Sequence, residues 1–333
     1  MKAFVINKYS KNGGLQLAEM PVPEVKDNDV LVDVYAAGVN LLDSKIKTGE
    51  FKLILPYKMP LILGHDVAGV IVKVGKKVKK FKIGDEVYAR PADYRIGTFA
   101  EFIAIDENDV ALKPKNLSME EAASIPLVAL TAWQVLVEKA QIKEGQKVFI
   151  QAGSGGVGTI AIQLAKHLGA IVATTASAKS FDLLNELGTD LIIDYKNSDF
   201  ENRLNNYDVV LNSQDQKTLE KSLQILKSGG KLISISGPPT PDFAKEINAP
   251  WFVKMILSLL SFGIRKKAKN KNVEYSFLFM KANGDQLDKL TQLIESGKIK
   301  PVLDKVFPFE KTNEALAHVE SGRSKGKVVI RIK

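Results

Sequence analysis

Between Lys147 and Ser236 the chain alternates short apolar runs with helical patterns, and few folds accommodate that order. Residues 148–152, 171–175, 191–195, 208–212 and 231–236 are each about the length of a strand buried on both faces. The segments between them carry apolar residues three and four apart, as in Ile160, Ala161, Leu164, Ala165 and Leu168, the period of a helix with one buried side. Strands alternating with helices across short connections specify a doubly wound parallel sheet, an α/β fold.

The turn after the first of these strands reads Gly153, Ser154, Gly155, Gly156, Val157, Gly158, which fits G-x-G-x-x-G. A strand precedes it and a helical pattern over 159–168 follows, the context that makes such a match informative. Glycine lets the backbone turn tightly and lets pyrophosphate oxygens reach amide N–H groups at the positive end of the helix. The turn therefore predicts a bound dinucleotide. Versions that take NAD place Asp or Glu at the end of the second strand, to accept hydrogen bonds from the ribose hydroxyls. Here that strand leads into Ser177, Ala178, Lys179 and Ser180, and no carboxylate appears before Asp182. A carboxylate would repel a 2′-phosphate, whereas Ser177 and Ser180 can donate to one and Lys179 supplies charge. The expected cofactor is NADPH. Ser177 could also be an N-cap with Lys179 on the first turn of a surface helix, and the two roles are compatible.

The first third has a different texture. Residues 2–6, 30–36, 67–74, 86–89 and 99–105 are β-branched or aromatic-rich runs separated by turn residues, with Gly64, Gly69, Gly75 and Gly84 as punctuation. They predict an antiparallel, barrel-like domain. Ser118 to Glu121 is a capping-box pattern opening a helix. Beyond Gly237 comes a proline-rich loop, then an apolar segment from Trp251 to Ile264 followed by a basic cluster from Arg265 to Lys271. That segment is too short to span a bilayer and contains Lys254. It reads as a helix packed on the body of the protein, or as an amphipathic helix on a membrane surface anchored by Trp251 and Arg265 to Lys267, a possible peripheral contact over 251–271. A strand at 275–280, helices at 286–294 and 314–320, and a last strand at 327–332 complete the reading.

The 333 residues include no cysteine and three histidines, His65, His167 and His318. This excludes disulfides, thiolate nucleophiles and every cysteine-ligated metal site. The formal charge of +9 is concentrated partly at residues 73–82 and 265–271. Neither cluster is interleaved with stacking aromatics, so no nucleic-acid partner is expected. The chain opens on a strand pattern without the layout of a signal peptide, and a cytoplasmic protein is the expectation.

With these features in place, the chain resembles zinc-independent members of the medium-chain dehydrogenase/reductase superfamily. The nearest groups are quinone oxidoreductases, plant enone (alkenal/one) reductases and the reticulon-4-interacting mitochondrial oxidoreductases. The markers are AGVNLLD at 37–43, LGHDVAG at 63–69, GDEV at 84–87, GTFAEF at 97–102, the glycine turn, and GKVV at 326–329. The resemblance implies a GroES-like catalytic domain at 1–122 and 284–333. It implies a Rossmann domain at 123–283, with 238–270 as an insertion or lid. Zinc-dependent relatives hold the metal through Cys, His and Cys, where this sequence has Asn40, His65 and Leu127. One histidine beside an amide and a leucine makes no tetrahedral zinc site, so no metal is expected and His65 is read as structural, for instance through a turn hydrogen bond.

The activity implied is hydride transfer from NADPH to quinones or α,β-unsaturated carbonyl compounds. Asn40 and Lys45 are the catalytic candidates, and with Tyr57 they are the substrate-binding candidates. Asp43 and Lys45 could instead form an ion pair on a short helix. Further cofactor-binding candidates are Tyr195, Ser236, Phe277, Phe279, Ser324 and Lys325. Relatives commonly dimerise edge to edge through the coenzyme domain, so a homodimer is expected on the same ground. A different class remains open: an NADPH-binding sensor or structural protein on the same fold, with little turnover.

Overall fold

The structure, a computed structural model, describes residues 1–333. The chain divides into two compact units, Met1–Leu130 with Lys281–Lys333, and Thr131–Met280.

In chain order the first unit contains β1 (Lys2–Ile6), β2 (Gln16–Glu19), β3 (Asp29–Val39), α1 (Leu41–Thr48), β4 (Leu61–Ile62), β5 (Asp66–Val74), β6 (Glu86–Ala89), β7 (Phe102–Asp106), β8 (Val110–Leu112) and α2 (Met119–Ala123). Helix α3 (Pro126–Trp133) follows. Strand β3 is the hub. It pairs antiparallel with β5 and β7, and its last residues, Ala36 to Val39, pair with a strand from the far end of the chain. That pairing carries β3 beyond the 30–36 expected from sequence, because the partner edge has no local signature. Val30, Val32 and Val34 pack with Val67, Ile71, Val87, Ile103 and Ile105 on one side of the sheet. The expected strand at 99–105 begins only at Phe102. Phe99 and Ala100 instead bridge to other segments: the Phe4 N–H donates to Phe99 O (2.9 Å), the Phe99 N–H to Leu63 O (2.9 Å), and Ala100 pairs with Ala3. The Ser118 cap forms as read, with Ser118 N–H donating to Glu121 Oε2 (2.8 Å) and Glu121 N–H to Ser118 Oγ (3.2 Å).

The second unit contains β9 (Lys147–Ile150), α4 (Gly156–His167), β10 (Ile171–Ala176), α5 (Phe181–Glu186), β11 (Leu191–Asp194), β12 (Tyr207–Asn212), α6 (Gln216–Ile225), β13 (Leu226–Ser234), α7 (Pro241–Glu246), α8 (Trp251–Asn270) and β14 (Glu274–Phe277). Its six-stranded sheet has the order β11-β10-β9-β12-β13-β14 with every pair parallel. The order reverses direction between β9 and β12, and in such sheets ligands bind outside the carboxyl ends of the strands at that point. Phe149, Ala173, Ile193, Val210 and Leu232 fill the core of this unit, as runs buried on both faces require. The helix expected at 251–264 continues to Asn270 and so takes in the basic cluster. The strand expected at 275–280 stops at Phe277.

The chain then re-enters the first unit as α9 (Gly284–Glu295), β15 (Leu303–Pro308), α10 (Thr312–Glu320) and β16 (Lys327–Arg331). Strand β16 lies parallel to β15 and antiparallel to β3. The architecture is a largely antiparallel domain and a doubly wound parallel sheet.

Candidate active site

In the second unit the glycine turn lies where β9 passes into α4. The residue that adopts the left-handed conformation is Ala152, at φ 52°, and not one of the glycines. The glycines serve close packing. A Cβ on Gly153 would collide with Thr174 Oγ1 of β10 and lie 2.8 Å from its Cγ2. Thr174 cannot retreat, since it is fully buried and its hydroxyl donates to Ile150 O (2.5 Å). A Cβ on Gly158 would strike Ala152 O and lie 2.7 Å from Gly153 Cα. Gly155 differs: the only neighbour of a Cβ there is Ala152 O at 3.3 Å, so its open side faces no protein atom. Gly155 is the N-cap of α4 and offers no side chain to the leading N–H groups of Gly156, Val157 and Gly158. Those donors and the helix dipole suit an anion.

The end of β10 lies beside this turn. Gly153 N–H donates to Thr175 O (3.0 Å) and Ala152 N–H to Thr175 Oγ1 (3.2 Å). Ser177, two residues on, precedes a single tight turn, Ala178–Ser180, but its side chain makes no capping bond. The capping role suggested by sequence is not what its hydroxyl does. Lys179 is exposed and Ser180 is buried. Tyr195 is 60% exposed just beyond β11. The Ser236 hydroxyl donates to Gln214 O (2.6 Å), and its Oγ is 3.3 Å from Asn212 Oδ1, so it is tied into the protein. Asn212 belongs to a buried amide network: it donates to Gln151 Oε1 (2.7 Å) and accepts from Ser234 (2.5 Å), while Gln151 donates to Ser222 (2.7 Å). Phe277 is buried edge-on against Phe243, ring centroids 5.1 Å apart, which makes it part of this unit's packing. Phe279 lies 5.9 Å from the same ring.

In the first unit, Asn40, Asp43, His65, Asp66 and Lys327 form one buried polar network. Lys327 Nζ donates to Asn40 Oδ1 (2.5 Å), Asp66 Oδ2 (3.0 Å) and Val39 O (3.2 Å). Asn40 Nδ2 donates to Asp66 Oδ2 (2.8 Å), and Leu127 N–H to Asp66 Oδ1 (2.7 Å). Asp43 accepts the Asn40 N–H on Oδ2 (2.8 Å), which starts α1, and binds His65 Nδ1 through Oδ1 (2.6 Å). A carboxylate only accepts, so the hydrogen of this bond sits on Nδ1. His65 is fully buried, and its Nε2 has no partner.

Several expectations change here. Asp43 does not pair with Lys45: Lys45 lies 3.9 Å from Glu50, and the Asp43 carboxylate belongs to His65 and the start of α1. The His65 bond is to that carboxylate, not to a turn. Asn40, a catalytic and substrate-binding candidate from sequence, has its carbonyl oxygen and its amide committed inside the protein. Tyr57 Oη is buried without a partner, and burial, reinforced by Asp93, pushes the phenol far above its ordinary pKa and keeps it a donor. The partnerless atoms Thr98 Oγ1 and Arg90 Nε belong to the same unit. Ser324 and Lys325 are half-buried in this unit, just before Lys327.

Residues 26–115 match the alcohol dehydrogenase GroES-like domain, and residues 187–330 the zinc-binding dehydrogenase family. A 2-methylene-furan-3-one reductase of Solanum lycopersicum is 39% identical over 99% of this chain and 79% of its own length. The chain belongs to the medium-chain dehydrogenase/reductase superfamily. Within that superfamily it is also similar to an NADPH-dependent alkenal/one oxidoreductase of Arabidopsis thaliana chloroplasts, 37% identical over 99% of this chain and 79% of that protein. The solved quinone oxidoreductase from Coxiella burnetii shares the whole fold, with a TM-score of 0.87 at 28% identity, covering 100% of this chain and 99% of the other. These likenesses place the chain in the enone and quinone oxidoreductase branch.

Zinc-dependent members of the superfamily raise the question of a metal at Asn40, His65 and Leu127. The donor set does not fit one. Leu127 contributes a backbone N–H, already bonded to Asp66, and the Lys327 ammonium occupies the Asn40 oxygen. No cluster of three His, Cys, Asp or Glu side chains able to hold a metal exists in the chain. A cation beside Lys327 would meet like charge in a buried setting.

Proposed function

We propose that this chain is an NADPH-dependent reductase that passes hydride to quinones or α,β-unsaturated carbonyl compounds without a metal. The observation that carries the reading is the end of β10, which touches the glycine turn through Thr175 and runs on into Ser177, Lys179 and Ser180 with no carboxylate in the chain before Asp182. The NADPH dependence in the name of the alkenal/one relative supports the same choice. Bound NADPH would supply the hydride. The protein's part is to hold the pyrophosphate on the N–H groups of Gly156, Val157 and Gly158, and the 2′-phosphate at Ser177 and Lys179. In the first unit, the Tyr57 phenol is the donor we assign to an acceptor's carbonyl oxygen, where negative charge develops as hydride adds to the β-carbon. Asn40 we assign to positioning through Asp66 and Lys327, and Lys45 to the rim beside Glu50.

NADPH oxidation against a panel of enones and quinones tests this directly. Turnover with at least one class is expected. Tight NADPH binding with no acceptor reduced would sink the reading in favour of a sensor. Tyr57→Phe should lower kcat/KM about ten- to a hundred-fold with NADPH affinity unchanged, since only the donor hydroxyl is removed. An unchanged kcat/KM would remove Tyr57 from this role. Ser177→Asp sets a carboxylate where NAD-binding versions have one. It should lower the NADPH-over-NADH preference by about ten- to a hundred-fold in paired binding measurements. An unaltered preference would place the 2′-phosphate elsewhere.

A further inference from the structure

Helix α8 has two faces of equal regularity and opposite fate. Val253, Leu257, Ser261, Ile264 and Ala268 are buried, with Ile264 and Ala268 in the core of the second unit. The same spacing moved back two residues gives Trp251, Met255, Leu259, Phe262 and Lys266, all exposed. Two residues turn an α-helix by roughly 200°, so this second row is the outward face. It is apolar over its first three turns: Trp251 is 76%, Leu259 69% and Phe262 59% exposed, with Phe252 and Leu260 exposed alongside. Soluble surfaces rarely leave so many large apolar side chains contiguous and uncovered.

The charge on this helix favours one kind of partner for the face. No Asp or Glu occurs from Trp251 to Asn270, while Lys254, Arg265, Lys266, Lys267 and Lys269 do. Arg265 is turned back onto Ser258 and Ser261, and Lys267 pairs with Glu220 (2.7 Å). Lys266 and Lys269 have no carboxylate partner and extend the apolar row itself. A second copy of the helix would bring apolar surface but only more positive charge, in a chain already at +9. An anionic bilayer supplies both an apolar layer and negative headgroups. The helix is not long and apolar enough to cross a membrane. An uncharged row that ends in lysines, with Trp251 at its head, is the pattern of a helix lying in the interface plane.

We propose that the outward face of α8 docks the protein on anionic lipid surfaces, with Trp251, Met255, Leu259 and Phe262 inserted and Lys266 and Lys269 on the headgroups. The proposal stands independently of the reductase reading. The test is co-sedimentation of the full chain with phosphatidylcholine vesicles, with and without phosphatidylglycerol, alongside light scattering to fix oligomeric state. Wild type should bind anionic vesicles and lose them in high salt, and the Lys266→Glu, Lys269→Glu double variant should weaken that binding at least about tenfold. The Leu259→Glu, Phe262→Glu double variant should abolish it. NADPH affinity of the lysine variant should match wild type, which shows an intact second unit. Failure of wild type to bind anionic vesicles overturns the proposal. So does equal binding to neutral ones, or a Leu259→Glu, Phe262→Glu variant that turns a dimer into a monomer without altering vesicle binding, since a second copy then covers the face.

Discussion

Lys327→Met is expected to destabilise the first unit by about 3–5 kcal/mol, because it leaves a buried carboxylate without its counter-charge. Asp66 is fully buried, and Lys327 is 5% exposed. Without the ammonium, the Asp66 carboxylate keeps only neutral donors, Asn40 Nδ2 and the Leu127 N–H, and the Asn40 oxygen loses its donor. Methionine approximates the length of the lysine stem, so packing loss contributes little. Lys333 provides the contrast. It makes a comparably close pair with Asp33 but is 43% exposed, and Lys333→Met should cost under about 1 kcal/mol. Equilibrium denaturation of both variants separates the cases. Similar small losses for both would show that the network contributes no more than a surface pair. Adding Asp66→Asn to Lys327→Met should recover part of the loss, since the orphaned charge goes with it.

This network also marks the limit of what sequence shows. Residues 66 and 327 are brought together only because β16 pairs with the end of β3, and nothing local to either announces that pairing. The same ignorance shortens the expected β3. One link does have a local signal: Asn40 and Asp43 stand three apart at the N-cap and third position of α1, the spacing of a capping box, although the sequence equally allows Asp43 an ion pair with Lys45. The second unit was far more legible. Its strands are continuous apolar runs, its turn has glycine at fixed offsets, and both are local properties of the chain. Even there, sequence gives the glycine positions but not their reasons. Gly153 is required by Thr174 on the neighbouring strand, and the strained backbone falls on Ala152. For α8 the sequence leaves two readings, a packed helix or an amphipathic surface helix, for a related reason. Its apolar residues look alike in sequence, and only the fold decides which row is buried.

The glycines of the turn give the second large prediction, because the structure assigns them different constraints. Gly158→Ala puts a Cβ against the backbone of Ala152 and Gly153, so the turn must open and α4 must move away from β9. Stability should fall by about 1–3 kcal/mol, and NADPH affinity should fall about a hundred-fold or more as the N–H groups lose their alignment. Gly155→Ala meets only one protein atom, at 3.3 Å, and Gly155 already has φ −81°, which alanine adopts freely. The folded protein should therefore be as stable as wild type. NADPH affinity should still fall, by about ten- to a hundred-fold, because the added methyl takes space that the pyrophosphate needs against the backbone. Thermal unfolding without ligand, paired with NADPH titration by fluorescence, reads both quantities for each variant. A Gly155→Ala protein that binds NADPH like wild type would mean the phosphates do not rest on this turn, and the assignment of cofactor to the N-terminus of α4 would fail with it. A Gly155→Ala protein that is destabilised as much as Gly158→Ala would instead show that both glycines are needed for folding, and that neither by itself reports on the ligand.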